Sequence, residues 1–485
     1  MRPIGSELAP TEDDVEEVDL PELAAGKFRR LMAQREWSRF SRSLERGQSL
    51  FERRTLWHVN STAQGGGVAE MLQSVLCYLV GAGITTRWAV IEGNQEFFDL
   101  TKRIHNLLHG SPGDGGKLGR AEMAAYDATL AAESASITEQ VRPGDVVVLH
   151  DPQALGLAPV LDQAGAVVVW ACHVGRDEPN KLTRTAWRAL LPYAKAAQVC
   201  TFSRPQYAWE GLDKERVAVI PPCLDAFSPK NQRLVSRTVA AILNAARIVP
   251  SAREGKAEFT RQDGSRAKVA TPARMIEGGP IPATAPIITQ ISRWDPLKDM
   301  AGVMKAFTDH VPEELGAHLV LAGPDPEAVA DDPEGKETFQ AVKAAWENLS
   351  DEMRRRVHLA CLPMDDLEQN AATVNALQRR SEVVVQKSLA EGFGLTVAEA
   401  MWKSRPVVGS RLGGIQDQIE AGRSGLLVDD PRDLEECGAA LTRLLRDRKR
   451  AGAMGKRAHQ RVGREYLAPV YLGRYLDLFG ELISA

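Results

Sequence analysis

No two cysteines of this 485-residue chain stand close enough to form a C-x-x-C pair. Cys77, Cys172, Cys200, Cys223, Cys361 and Cys437 are scattered and mostly lie in apolar runs, so they read as small hydrophobes rather than zinc or redox ligands. A long basic run is also missing, and 60 basic residues stand against 64 acidic ones. That balance leaves no electrostatic footprint for nucleic acid or anionic lipid. The most apolar stretch, "VAEMLQSVLCYLVGAGI", is short, contains Glu70 and ends at glycines, so it reads as a buried helix without membrane insertion. The first twenty residues are acidic and lack the apolar core of a secretory leader. With 44% apolar and 26% charged residues the chain has the composition of a globular cytoplasmic protein. There is no repeat of solenoid length. The length exceeds one ordinary core, which favours two large domains.

What is present is an alternation of short apolar runs with helical segments. Residues 20–54 are charged with helical spacing, and 1–54 is expected to be an N-terminal helical arm. "LWHVN" (56–60), "TRWAVIE" (86–92), "DVVVLH" (145–150), "AVVVWAC" (166–172), "AAQVCTF" (196–202) and "RVAVIPP" (216–222) read as strands of a first domain over 55–229. Continuously apolar strands between helices imply parallel pairing, buried on both faces. Residues 230–285 break the rhythm and are assigned to a linker or insertion. There "AEFTRQDGSRAKV" alternates around Asp263-Gly264, a type I′ hairpin signal. The alternation resumes over 286–465 with "PIITQIS", "AHLVLAG", "RVHLAC", "EVVVQ", "RPVVGS" and "SGLLVDD", followed by consecutive helices. The fold class expected is α/β: two Rossmann-like, doubly wound domains facing a central cleft, with ligands at the carboxyl ends of the strands.

Five loops after strands carry chemistry. In "SLAEGFGLTVAEAMW" (388–402), Thr396-x-x-Glu399 matches a capping box, which accounts for Glu399 by helix stability alone. Glu391 has no such role. Gly392 and Gly394 let the backbone approach a ligand, and the following helix offers unpaired N–H groups. A carboxylate beside a phosphate would repel it, so Glu391 fits sugar hydroxyls better. In "ISRWDPLKDM" (291–300), Arg293 ends a strand and Lys298 falls in the first turn of the next helix, where a cation opposes the macrodipole. Asp295 and Asp299 can offset that cost as surface pairs. The functional alternative is an anion held by Arg293 and Lys298, best a diphosphate. "NSTAQGGGVAE" (60–70) is a second glycine loop, lacking the endings of both the P-loop and the dinucleotide fingerprint. "LHDPQALG" (149–156) and "ACHV" (171–174) place Asp151, Gln153 and His173 after strands, and His173 reads equally as structural or functional.

The paired glutamates Glu391 and Glu399, the Arg293/Lys298 pair and the N-terminal glycine loop at 60–70 together resemble a retaining GT-B glycosyltransferase of family 4 type. "HVNSTAQGGGVAEML", "RWAVIEGNQEFF", "HDPQ", "IPPCLDAFSPKN", "ITQISRWDPLKD", "VNALQRRSEVVVQKSLAEGFGLTVAEA" and "GGIQDQI" are similar, in order, to the trehalose glycosyltransferring synthases. The resemblance implies GT-B architecture and a nucleoside-diphosphate sugar donor (ADP-, UDP- or GDP-glucose), with a sugar acceptor and no cofactor or metal. It implies that Glu391 binds donor-sugar hydroxyls and Glu399 the ribose. Arg293, Lys298 and the amides of Gly394, Leu395 and Thr396, next to Gly392, would neutralise the diphosphate. Gly65, Gly66 and Gly67 would close over it, Asp151 and Gln153 would meet the acceptor, and His173 would sit beside the donor sugar. Residues 466–485 would pack back on the N-terminal domain. After His173 the chain departs from the family pattern ("VGRDEPN"), and 230–285 is longer than in smaller relatives.

On this reading the chain is a retaining hexosyltransferase that needs no metal, since no D-x-D follows a strand, and trehalose is the expected product. Same-face attack is the expected course of retention. The alternatives are another acceptor, a sugar-nucleotide epimerase or phosphorylase, and a non-catalytic sugar-nucleotide sensor. The nucleotide base, the acceptor, the direction and the oligomeric state, a homodimer among the options, stay open.

Overall fold

A computed structural model describes residues 16–63, 66–252, 255–328 and 332–484. The chain divides into two compact units. Unit 1 runs up to Pro221 and takes in the stretch from Leu472, and unit 2 runs from Pro222 to Tyr471.

The strands of unit 1 are β1 (Glu16–Glu17), β2 (Leu56–Asn60), β3 (Thr86–Val90), β4 (Val146–His150), β5 (Val167–Cys172), β6 (Val199–Phe202) and β7 (Val217–Val219). They form one seven-stranded sheet in the order β1-β3-β2-β4-β5-β6-β7. All pairings are parallel except that of β1 with β3. Val146 to Leu149 are β-branched or leucine and fully buried, as a parallel sheet covered on both faces requires. Trp57, Trp170, Trp187 and Phe202 fill the core on one side.

Residues 16–54, expected as a helical arm, include β1 at the sheet edge and helix Gln34–Leu50. That helix packs on the last helix, Ala468–Ser484. Ser43 Oγ and Arg46 bond Asp477 at 3.0 and 2.8 Å, and a Cβ on Gly47 would lie 2.8 Å from Leu476. The apolar run from Val68 lies in helix Gly67–Val80, buried as expected. Among the described residues no helix is long and apolar enough to cross a membrane.

Unit 2 begins with β8 (Glu258–Thr260), β9 (Arg266–Lys268) and β10 (Arg274–Ile276). They are followed by β11 (Ile287–Ile291), β12 (His318–Pro324), β13 (Val357–Leu362), β14 (Val383–Gln386), β15 (Val407–Ser410) and β16 (Leu426–Val428). Its sheet has the order β10-β13-β12-β11-β14-β15-β16, in which only β10 is antiparallel. From β13 onward this is the 3-2-1-4-5-6 order of a Rossmann domain.

The segment 230–285 belongs to unit 2 rather than lying between two domains. Helix Ser236–Ala245 buries Val239, Ile242 and Leu243 in the same core as Ile287 and Ala322, and β10 extends the sheet. The hairpin β8–β9 forms around Asp263-Gly264, but not as a type I′ turn. Gly264 has φ +85° while Asp263 does not enter the left-handed region. Gly264 N donates to Arg261 O and Arg261 N to Ser265 O, the pattern of an ordinary turn closed by a glycine bulge.

Candidate active site

In an open parallel sheet, the strand order reverses at a switch point, and the loops there diverge to leave a crevice. In unit 2 the switch point lies between β11 and β14, so the loops 292–299 and 387–394 emerge side by side. A backbone bond from Leu389 N to Leu297 O (2.7 Å) ties them together. Lys298 Nζ donates to Glu391 Oε2 at 2.7 Å, and Ser388 Oγ donates to the same oxygen at 3.2 Å. Ser388 is itself held by Gln386 Nε2 (3.0 Å) and, through its carbonyl, by Ser410 Oγ (2.7 Å). Both partners of the pair are largely enclosed, with Lys298 17% and Glu391 12% exposed. Two residues assigned from sequence to opposite tasks, a phosphate cation and a sugar carboxylate, are therefore direct neighbours. Arg293, by contrast, is 64% exposed and reaches Asp295 at 3.4 Å.

Lys298 does not lie in an α-helix. Pro296–Lys298 is a 3₁₀ turn capped by Asp295, which accepts from Leu297 N at 2.8 Å. The α-helix Met300–His310 starts later, capped by Asp299, whose carboxylate accepts from Gly302 N at 3.1 Å. The macrodipole conflict expected for Lys298 is thereby reduced, because two separate caps stand around it. Asp299 adopts φ +48°, an uncommon conformation for a residue with a Cβ. The fully buried ammonium of Lys387 pairs with its carboxylate and bonds Pro431 O at 2.6 Å. Asp299 is thus no surface pair, since a buried cation clamps it in place.

The capping box anticipated at Thr396 and Glu399 does not form. Helix Leu395–Trp402 starts one residue before Thr396, with Gly394 as its cap, at φ +81°, and no side-chain cap. A Cβ at Gly394 would approach Glu391 Cγ and Ile415 Cγ1 to 3.2 Å, so glycine serves both the left-handed backbone and the close packing. The first amides of this helix are left to other partners. Gly392 O accepts from Gly414 N at 3.0 Å, and Gln418 Nε2 binds Phe393 O at 2.6 Å, so the loop is braced from behind. Glu399, freed from capping, is buried and meets Gln378 Nε2 at 3.3 Å and Lys230 Nζ at 3.8 Å.

The switch point of unit 1 lies between β2 and β4. After β2, Asn60 organises the glycine loop by accepting from Ser61 N (2.8 Å) and donating to Thr62 O (3.0 Å). Gly66, at φ +96°, precedes helix Gly67–Val80, both glycines are exposed, and Gly65 lies outside the described residues. After β4, Asp151 opens the short helix Asp151–Leu155 at φ +58°, with the half-buried Gln153 in the same turn. Strained non-glycine backbone of this kind persists only where its surroundings hold it. Here Trp170 Nε1 donates to Asp151 O at 3.0 Å, and Asp151 Oδ1 accepts from His173 N at 2.7 Å. The carboxylate expected at the acceptor therefore also positions His173.

Two residues not singled out from the sequence complete this corner. His150 Nδ1 lies 3.4 Å from His173 Nε2, and His150 Nε2 lies 2.9 Å from His58 Nδ1. Burial drives the pKa of His58 down to about 3, that of His150 well below its ordinary value, and that of His173 down against the opposing field of Asp151. The only local signal was a histidine in the middle of one strand-like run, at the end of a second and just after a third. Lys387, directly after "EVVVQ", was likewise missed, because an isolated lysine reads as solvated.

Residues 58–209 match the trehalose synthase N-terminal domain and residues 273–461 match glycosyl transferases group 1. A trehalose synthase of Pyrococcus horikoshii is 31% identical over 96% of this chain and 99% of its own length. A trehalose phosphorylase of Grifola frondosa is 25% identical over 86% of this chain, which spans 57% of that protein. A UDP-forming α,α-trehalose-phosphate synthase structure from Burkholderia xenovorans shares the fold, with a TM-score of 0.64 at 17% identity, covering 89% of this chain and 100% of that one. The expected GT-B class, with a Rossmann-like sheet in each unit, is the fold of this chain. With these two family matches and 31% identity over nearly its whole length, the chain belongs to the trehalose synthase family and is a glycosyltransferase that moves a hexosyl group.

Proposed function

We propose that this enzyme transfers glucose with retention from a nucleoside-diphosphate glucose to glucose, forming trehalose. The observation that carries the reading is the enclosed Lys298–Glu391 pair beside the glycine-capped start of helix Leu395–Trp402. A glycosyl–phosphate bond breaks with negative charge growing on the diphosphate. Fixed cations and amides aimed at that charge are the largest catalytic resource of a dry site. Arg293, Lys298 and the amides of Gly394, Leu395 and Thr396 have the chemistry for it, with no metal ion in the step. Glu391 accepts hydroxyls of the hexose and, in accepting Lys298, keeps that ammonium oriented before the donor arrives. Glu399, buried next to Lys230 and Gln378, takes the ribose.

The C1–O bond to the diphosphate breaks, and the acceptor hydroxyl oxygen forms a new bond to C1 on the same face. Its proton passes to the departing phosphate oxygen, which balances the charge without a protein nucleophile. Asp151 and Gln153 contribute to the acceptor and His173 to the donor sugar. A second reading, phosphorolysis of trehalose, is favoured by the phosphorylase relative and uses the same anion cradle for inorganic phosphate.

The deciding experiment incubates the protein with ADP-, UDP- and GDP-glucose and glucose, then with trehalose and phosphate, and reads products by mass and anomeric proton NMR. Release of nucleoside diphosphate with an α,α-linked disaccharide supports the proposal. Glucose 1-phosphate formed only from trehalose and phosphate selects the second reading. Donor binding without turnover on any acceptor would mark a sensor.

A further inference from the structure

Three histidine rings form a row that runs from the middle of the unit 1 sheet to its carboxyl edge. His58 lies on β2, His150 ends β4 and His173 follows β5, and these strands are neighbours. The rings stack, with centroids 5.2 Å apart at 20° between His58 and His150, and 5.7 Å apart at 7° between His150 and His173. Their nitrogens are 2.9 and 3.4 Å apart, so each ring meets the next through one nitrogen. A neutral imidazole has one N–H and one lone pair. If His150 accepts at Nε2 it must donate at Nδ1, and the reverse. The two bonds therefore share one direction.

The inner end chooses that direction. His58 is 4% exposed, and its Nε2 finds no hydrogen-bond partner. Its register neighbour on β3 is Trp88, whose buried indole Nε1 also has none. Indole can only donate. A proton on His58 Nε2 would add a second orphaned donor to this part of the core, whereas a lone pair there leaves only an acceptor unmet. Orphaned buried N–H groups are also rarer than under-satisfied acceptors.

We propose that His58, His150 and His173 form one polarised chain that runs outward and fixes His173 as a neutral Nδ1–H donor toward a hexose oxygen. His58 Nδ1–H donates to His150 Nε2, and His150 Nδ1–H donates to His173 Nε2. The His173 Nδ1 has no partner among the described residues, and it carries the proton. His173 then cannot act as a general base at Nδ1; it holds a hydroxyl or ring oxygen of the sugar while the anomeric bond breaks. His150 and His58 are positioning residues. Burial of all three rings disfavours the imidazolium that would reverse a bond, and Asp151, on the backbone N–H of His173, is the charged group whose field opposes this. The inference rests on the proposed function for the identity of the ligand, but not for the polarity of the chain.

Histidine-selective ¹⁵N labelling and long-range ¹H–¹⁵N correlation spectra at pH 7.5, assigned with single His→Gln variants, read the tautomers directly. The Nδ1–H form is expected at all three rings of the free wild-type protein. The Nε2–H form at His173, or averaging between both forms, overturns the proposal. In turnover, His150→Phe should lower kcat at least tenfold with KM for the nucleotide sugar within twofold, and His150→Gln, which can both accept and donate, should recover part of the loss. Wild-type kcat in a folded His150→Phe protein refutes the positioning role. The spectra need no substrate, so absence of transfer with every donor would refute the proposed function and leave the tautomer test standing.

Discussion

Replacing Glu391 with glutamine keeps the shape of the side chain and removes its charge, which separates what the residue does for the fold from what it does for the reaction. In the native site its Oε2 accepts from Lys298 at 2.7 Å and from Ser388 at 3.2 Å. A bond to a charged group contributes about 1.5–3 kcal/mol and a neutral one about 0.5–1.5 kcal/mol, so the exchange costs roughly 1–2 kcal/mol of stability. Lys298 keeps some contact with water, and its charge is not stranded in a dry interior. Set against a domain stability of about 5–15 kcal/mol, a loss of 2 kcal/mol leaves about 99% of the protein folded even at the lower limit. Loss of a group aimed at the transition state should reduce kcat by about 10²–10³, the equivalent of roughly 2.7–4 kcal/mol. Turnover should thus fall far more than unfolding can explain. Urea denaturation gives the first quantity and initial rates of nucleoside-diphosphate release the second. Wild-type kcat in Glu391→Gln, or a rate loss that tracks the unfolded fraction, would refute the role.

Other perturbations have separate signatures. Arg293→Ala should leave the urea midpoint nearly unchanged, because this side chain is 64% exposed. It should lower kcat/KM for the nucleotide sugar about tenfold or more through the lost charge-assisted bond; an unaltered kcat/KM removes Arg293 from the diphosphate site. Asp299→Ala removes a helix cap and leaves the buried Lys387 unpaired, so a loss of about 3–5 kcal/mol is expected, whereas Thr396→Ala, inside the helix and not capping it, should cost about 0.5 kcal/mol or less. Equal urea midpoints for these two variants would contradict the assigned caps. Below pH 6.5 the unfolded chain takes up protons that buried His58 and His150 refuse in the fold, so stability is full above that pH and falls as pH drops toward the folded pKa, about 3 for His58. Two such rings give a slope approaching roughly 3 kcal/mol per pH unit under about pH 5.5. A flat stability profile between pH 7 and 5 would mean that the rings are not held neutral.

Much of the fold was legible because its signals are local. "LWHVN" is strand β2 residue for residue, and the runs ending at His150, Cys172 and Gln386 end where their strands do, since a buried parallel strand needs an unbroken apolar run. Gly394, marked from the sequence as a backbone position for glycine, does adopt a positive φ. Local signals failed where one pattern suits two geometries. Asp263-Gly264 fits both a type I′ turn and a bulged turn, and only the φ of Asp263 separates them. Thr396-x-x-Glu399 fits a capping box, yet Gly394 can end the loop itself at positive φ, which moves the helix start and releases Glu399.

The apolar period, the glycine positions and the ordered motifs determine, from the sequence by itself, two α/β halves and the chemistry of a hexosyltransferase. Tertiary structure alone decided which strand ends are neighbours. Strand order at the β11/β14 reversal brings Lys298 to Glu391, 93 positions apart, and the row β2-β4-β5 brings His58, His150 and His173 into one chain. The physical reason is that parallel pairing is set by crossover packing on both faces of the sheet, an interaction among distant segments that no window of sequence contains.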